Sequence, residues 1–310
     1  MPSQPPPSPS TPSPSTPASS PAPASSPAPA NPSPSNAPSA ATPTSPAPSP
    51  SPALYLIPCW LDDQATAPLP AYLLDAIRQC QVFFVENERS ARRYLKTLWK
   101  EMVIDDYEWY PIHKAEEEVK AVFRQKLKEG KTIGLISEAG CPGVADPGQI
   151  LTAAAHAAGA PVRPLVGPSS ILLALMASGL NGQQFRFAGY LPVDNTGRAK
   201  AIKDLEAESQ RLHCTQLFIE TPYRNNALLE TLLSTCRPST RLCIAANLTG
   251  PGEYIRTLSI AEWRQLTPSG QLTPSAHSGQ PAHPAQPQPF APSASLPNLH
   301  KQPTIFCLLA

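Results

Sequence analysis

Short apolar runs and amphipathic segments alternate along the middle of the chain. Ala53-Leu54-Tyr55-Leu56-Ile57 has the length of a strand and stops at Pro58. Leu69–Cys80 has helical spacing and leads into a second strand, Val82-Phe83-Phe84-Val85, closed by Glu86. Ser90–Leu98 reads as a basic helix and Glu116–Lys128 as a highly charged amphipathic one. The run Thr132-Ile133-Gly134-Leu135-Ile136 has the character of a buried strand. Gln149–Ala158 is an alanine-rich helix that Gly159 caps. Pro161–Val166 is the next strand, and Ile171–Ser178 an apolar helix behind Gly167-Pro168-Ser169-Ser170. This alternation predicts a parallel sheet with helices on both faces.

Beyond Gly179 the rhythm changes. Strands are expected at Phe185–Leu191, Thr215–Glu220, Leu242–Leu248 and Glu253–Leu258, with helices at Ala199–Arg211 and Asn225–Ser234. Thr304–Leu309 is a last strand, set beyond a tract without acidic or basic residues that begins at Thr267. A six-residue apolar strand would not be left in solvent, so about 267–300 is an insertion in a loop. The expected organisation is a tail over 1–52, an α/β domain over 53–181 and a smaller α/β domain over 182–310.

Composition sharpens that division. Residues 1–52 hold 20 of the 42 prolines and no charged side chain, so they cannot offset their ordering entropy and are expected to be disordered. They lack the basic start and apolar core of a secretory leader. No run approaches the length of a membrane-spanning helix. The net charge is +1, which argues against a basic nucleic-acid groove over the whole surface while leaving room for a local patch. Seven cysteines without a CxxC pair or regular spacing point to a reducing, cytoplasmic setting, and the scattered histidines give no metal site.

The chemistry concentrates in residues 137–148, Ser-Glu-Ala-Gly-Cys-Pro-Gly-Val-Ala-Asp-Pro-Gly. A strand, a Gly/Pro-rich turn and a helix form the layout in which an α/β fold receives a ligand at the carboxyl end of its sheet. Gly140, Gly143 and Gly148 allow close backbone approach, and Pro142 and Pro147 keep the loop preformed. A tight structural turn would need only one or two glycines. No G-x-G-x-x-G follows the first strand, which counts against an ordinary dinucleotide site, and the absence of a P-loop motif excludes a P-loop nucleotidase.

The segments SEAGCPGVADPG, VGPSS (166–170), GYLP (189–192) and ETPYR (220–224) stand in one order and resemble the tetrapyrrole methylase family, the class III S-adenosylmethionine-dependent methyltransferases. Within it the likeness is greatest to members that methylate a ribose 2′-oxygen of small-subunit ribosomal RNA. It covers about 53–260 and the last strand. The resemblance implies two α/β domains with the cofactor in a cleft between them, and a homodimer. It implies S-adenosylmethionine contacts from Pro58, Ser137, Glu138, Ala139, Gly140, Cys141, Pro142, Gly143, Asp146, Pro147, Ser169, Ser170, Glu220 and Thr221. Arg224 and Arg89 become the residues that hold the acceptor, either RNA or a small tetrapyrrole. Two departures stand out. Family members continue the first strand as T-P-I-G-N-L where this chain has Ile57-Pro58-Cys59-Trp60-Leu61-Asp62, and E-D-T-R stands where this chain has Glu86-Asn87-Glu88-Arg89. A tetrapyrrole C-methylase and a non-catalytic cofactor-binding scaffold are therefore alternatives.

Individual residues carry two readings each. Asp146 suits an Asx turn or a ligand contact. Glu138 can offset the donor's charge or face solvent. Ser169 and Ser170 can cap the helix behind them, and the same turn offers free N–H groups to a carboxylate. Arg224 can hold the acceptor or form a surface ion pair. The Arg89, Arg92 and Arg93 cluster can meet phosphate or be a solvated helix face. Methyl transfer is an in-line displacement that requires positioning above all, and no catalytic triad is visible.

Overall fold

The computed structural model describes residues 52–112, 116–266 and 295–310. The expectations about the tail and most of the low-complexity insertion fall outside these residues.

The first sheet comprises β1 (Leu54–Ile57), β2 (Val82–Val85), β3 (Glu108–Pro111), β4 (Ile133–Ile136) and β5 (Val162–Pro164). Their spatial order is β3-β2-β4-β1-β5, and every pair is parallel. Strand periodicity sends alternate side chains to opposite faces. Tyr55, Ile57, Phe83 and Val85 pack against α1 (Leu73–Ile77) and α2 (Glu88–Leu98). Leu54, Val82, Phe84, Ile133 and Leu135 pack against α3 (Glu116–Lys128) and α4 (Gln149–Ala157). Gly134 has to be a glycine here, because an added Cβ would lie 2.7 Å from the Phe83 ring.

Two elements differ from the sequence expectation. Helix α1 covers only the centre of Leu69–Cys80; the chain enters it through i→i+3 turns in which the Leu73 and Leu74 N–H groups donate to the Pro70 and Ala71 carbonyls. Strand β3 was not foreseen. Glu-Trp-Tyr-Pro lacks a β-branched run, and it pairs on one side only, as an edge strand where Pro111 is tolerated.

The second sheet has the order β6-β7-β10-β8-β9, from β6 (Phe185–Tyr190), β7 (Thr215–Ile219), β8 (Arg241–Ala246), β9 (Tyr254–Ser259) and β10 (Thr304–Leu309). Only β6 and β7 run parallel. The C-terminal strand lies at the sheet's centre, with Cys307 opposite Cys243 in β8. Helices α6 (Asn195–Leu212), α7 (Asn225–Thr235) and α8 (Ile260–Gln265) cover one face. The other face is covered by α5 (Ser170–Ser178), which follows the last strand of the first sheet. Ile171, Ala174 and Leu175 of α5 pack on Leu217, Ala245 and Ile305, so one helix couples the two sheets. No described helix is long and apolar enough to cross a membrane.

Candidate functional site

Three loops leave the carboxyl ends of the adjacent strands β4, β1 and β5, and short contacts pin them together. The Cys59 N–H donates to the Gly140 carbonyl at 2.7 Å, joining the loop after β1 to the loop after β4. Cys141 Sγ lies 3.5 Å from the Pro168 carbonyl, joining the second loop to the third. Pro58 packs so closely on Gly167 that an added Cβ would meet its ring at 2.2 Å. Tyr94 Oη, buried under α2, donates to the Pro58 carbonyl at 2.6 Å, and its ring meets Trp60 edge to face at 4.9 Å. Trp60 is thereby a packed residue beneath the first loop.

Loop 137–148 is shaped by positive φ at Gly140 (70°), Gly143 (78°), Ala145 (62°) and Gly148 (131°). The Gly143 N–H donates to the Pro147 carbonyl at 3.0 Å, which closes the loop on itself. Ser137, Gly140 and Pro142 are buried, whereas Glu138, Ala139 and Gly143 are exposed. The predicted residues Pro58, Ser137–Gly143, Asp146, Pro147 and Ser169 all belong to these three loops, and Ser170 opens α5 directly behind the third.

The two helices that start at this edge differ in one respect. The α4 N-terminus is filled by a side chain: Glu116 Oε1 accepts from Leu151 N–H and Oε2 from Gly148 N–H. The α5 N-terminus is not filled, because Ser169 sits at the cap position without a side-chain cap bond. Its first-turn N–H groups have no intrahelical partner by geometry. Of the two roles open to the serines, Ser169 thus does not take the capping one.

Beside the loops stands a group of carboxylates. Glu86 Oε2 accepts from the Glu138 N–H at 2.9 Å, and Glu138 Oε1 accepts from Ser90 Oγ at 3.1 Å. Asp146 faces both. Burial, then the charges of Glu86 and Glu138, push its pKa up to about 6 against an opposing hydrogen bond from Ser137. Glu138 is therefore tied to α2 rather than free in solvent. Burial pushes Cys59 up to about 12, and burial with Asp146 raises Cys141, so neither thiol is a nucleophile at neutral pH. Among the described residues no cluster of His, Cys, Asp and Glu could hold a metal ion.

Glu220, Thr221 and Arg224 occupy the corner after β7. Arg224 Nη2 donates to Glu220 Oε1 at 2.7 Å, and the Thr221 N–H donates to the same oxygen at 2.6 Å. Burial opposes the Glu220 charge, but these donors win and hold its pKa below the ordinary range. Glu220 Oε2, Arg224 Nε and Asn225 Oδ1 are buried without a hydrogen-bond partner. The corner reaches the first sheet through a chain of contacts. Asn225 Nδ2 donates to the Gln302 carbonyl, Asn247 Nδ2 donates to Gln302 Oε1, and Gly250 of the same loop lies against the Asp62 carboxylate, 2.4 Å from where its Cβ would stand. Arg89 lies in the first turn of α2 and is exposed; its backbone N–H donates to the capping Asn87. Arg92 and Arg93 pair with Glu88 and Asp63.

Sequence reasoning missed Glu116, Glu86 and Tyr94 as supports of these loops. Each acts on a loop distant in sequence, and no local pattern marks such a residue.

The family described as Tetrapyrrole (Corrin/Porphyrin) Methylases matches residues 68–263. Among curated proteins, the Ribosomal RNA small subunit methyltransferase I of Vibrio cholerae serotype O1 is 36% identical over 154 residues, covering 49% of this chain and 52% of that protein. The protein of the same name from Micromonospora olivasterospora is 33% identical over 205 residues, 64% of this chain and 60% of that protein. The chain thus spans about half the length of the first of these relatives. A crystal structure of diphthine synthase shares the fold with a TM-score of 0.52 at 14% identity, covering 84% of this chain and 90% of that one. With most of the chain inside the family match, this protein belongs to the tetrapyrrole methylase family.

Proposed function

We propose that this chain is an S-adenosylmethionine-dependent methyltransferase that acts on a ribose 2′-oxygen of small-subunit ribosomal RNA. The observation that carries the cofactor reading is the joining of three carboxyl-edge loops beside one uncapped helix N-terminus. S-adenosylmethionine carries a carboxylate, a cationic sulfonium and amine, and an adenosine, and the residues present fit each. The free first-turn N–H groups of α5 suit the carboxylate. Asp146, crowded by Glu86 and Glu138, gains from a nearby cation. Gly143, exposed and without a side chain, leaves the loop backbone bare for the ligand. The orphaned polar atoms of Glu220 and Asn225 supply further acceptors on the second sheet.

When bound, the cofactor supplies an electrophilic methyl group. The protein's task is then to hold donor and acceptor in line, exclude water and leave the acceptor oxygen room to lose its proton. Ser137–Gly143, Asp146, Pro147, Ser169 and Ser170 form the donor side, with Pro58 as its floor. Arg89 and Arg224 are the cations placed for a phosphate-bearing acceptor. A cleft between the two sheets, a homodimer and a cytoplasmic location belong to the same reading. The preference for RNA follows the two relatives named as ribosomal RNA methyltransferases.

Calorimetric titration of the full chain with S-adenosylhomocysteine tests the cofactor site, and absence of heat at millimolar ligand would overturn it. Mass spectrometry of small-subunit RNA from a strain lacking the protein tests the acceptor. One missing ribose methyl is expected; an unchanged methylation pattern would remove RNA and leave a tetrapyrrole acceptor.

A further inference from the structure

The carboxyl edge of β6 and β7 presents a cluster of aromatic and cationic side chains. Tyr190 ends β6, is 62% exposed, and stands in register with Ile219 of β7. Tyr223, in the corner that follows β7, is 69% exposed. The His300 ring meets it edge to face at 5.8 Å. The Lys301 N–H donates to the Pro222 carbonyl at 3.0 Å, which fixes the exposed Lys301 beside the same corner. Three separate segments of the chain thus converge on one surface.

Its cations face outward. In the Arg224–Glu220 pair the arginine side chain is 38% exposed and the glutamate 1%, so the cation faces outward and the carboxylate inward. Asp194, in the loop after β6, caps the Gly197 N–H and remains an exposed carboxylate at this edge. Behind that loop, Arg198 is only 4% exposed, and its hydrogen bonds run to the Thr231 hydroxyl, the Val193 carbonyl and the Asn195 side-chain oxygen. None of these is an anion, so its charge adds to the positive field of the edge. Exposed tyrosines among aliphatic neighbours would suit a protein partner. Tyrosines beside Arg224, His300 and Lys301 suit unpaired bases between phosphates, because rings stack on bases and the cations meet the backbone.

We propose that Tyr190, Tyr223, Arg224, His300 and Lys301 form a contact surface for single-stranded RNA, in which the two tyrosines stack on bases, the His300 ring supports Tyr223, and Arg224 and Lys301 hold the flanking phosphates. The inference rests on the RNA reading above and adds to it the residues that grip the acceptor strand.

The test is fluorescence anisotropy of the full chain with a labelled unpaired 12-nucleotide RNA, alongside its duplex form, over a salt series. Tyr190→Ala with Tyr223→Ala should weaken single-strand binding roughly tenfold or more, with S-adenosylhomocysteine affinity and melting midpoint close to wild type. Tyr223→Trp should restore binding. Lys301→Gln should reduce the slope of log affinity against log salt by about 0.7. RNA binding by wild type that the double variant retains would overturn this surface alone. No RNA binding by wild type would overturn the RNA reading and this surface with it. A change in sedimentation on removing the tyrosines, without loss of RNA binding, would assign the edge to self-association instead.

Discussion

The Glu116 carboxylate, at the start of α3, accepts from the Gly148 N–H at 3.2 Å and from Leu151 N–H at 2.9 Å. Gly148 is where the candidate cofactor loop becomes α4. It has φ of 131°, and an added Cβ would lie 2.8 Å from Leu135. One buried carboxylate therefore satisfies two helix-terminal donors, offsets the α4 dipole and fixes the downstream end of the loop. Glu116→Gln keeps the size but offers one acceptor oxygen, so an N–H is left without a partner. A loss of about 1.5–3 kcal/mol in denaturant unfolding is expected, with faster amide exchange confined to Gly148 and Leu151. Exchange at wild-type rates at both amides would show that the clamp is not operating.

Asp146 sets a pH dependence. Its pKa is about 6 in the folded chain against an ordinary value of 3.8, with burial the main cause and the charges of Glu86 and Glu138 adding to it. The folded state holds the proton more tightly than the unfolded one, so stability falls as pH rises from about 4 to about 6. Asp146→Asn removes that slope. The variant should be more stable than wild type at pH 7 and equal to it near pH 4, by a margin that partial exposure keeps modest. Urea midpoints at four pH values across that range measure it, and parallel profiles for the two proteins would refute it. The ionised carboxylate also favours a cation, so affinity for S-adenosylmethionine relative to the product, which lacks the sulfonium charge, should rise with pH through about 6.

The sequence made the parallel sheet legible because its strands are fully buried apolar runs, Val82–Val85 and Ile133–Ile136 above all. The C-terminal strand was legible for the same reason. That it would lie between β7 and β8 was not, since pairing across a long tract leaves no mark on Thr304–Leu309 itself. Strand β3 escaped because its stability comes from Trp109 and Tyr110 stacking on Phe83 and Phe84, which is tertiary rather than local. At the candidate site, the glycine and proline spacing of 137–148 announced a preformed loop. The residues that hold it, Glu116 and Glu86, lie 32 to 52 positions from the amides they bind and look like ordinary helix or strand-end residues.

Tyr94 illustrates how far such support reaches. Its hydroxyl is the donor to the buried Pro58 carbonyl, at 2.6 Å. Tyr94→Phe keeps the ring that packs on Trp60 and strands that carbonyl. Leaving a buried acceptor unpaired costs about 1–3 kcal/mol. Because Pro58 underlies the loop after β1, S-adenosylhomocysteine affinity should fall along with stability. A variant with lowered stability and unchanged affinity would place Pro58 outside the ligand's surroundings.

The donor and acceptor sides can be separated by a pair of substitutions. Gly143 has φ of 78°, and the nearest atoms to an added Cβ are 4.0 Å away. There is room for a side chain, so the cost of Gly143→Val is conformational: a β-branched residue resists positive φ, and the loop should shift to relieve it. Loss of S-adenosylhomocysteine affinity is expected with little change in RNA binding. Arg224 demands a gentler change, because removing it would strand the Glu220 carboxylate, whose other donor on the same oxygen is the Thr221 N–H. Arg224→Lys keeps a cation for Glu220 but gives up the planar, forked donor geometry. Cofactor affinity should stay near wild type while methyl transfer falls about tenfold or more. Parallel loss of cofactor affinity in both variants would move Arg224 to the donor side and leave Arg89 and Lys301 as the cations for the acceptor.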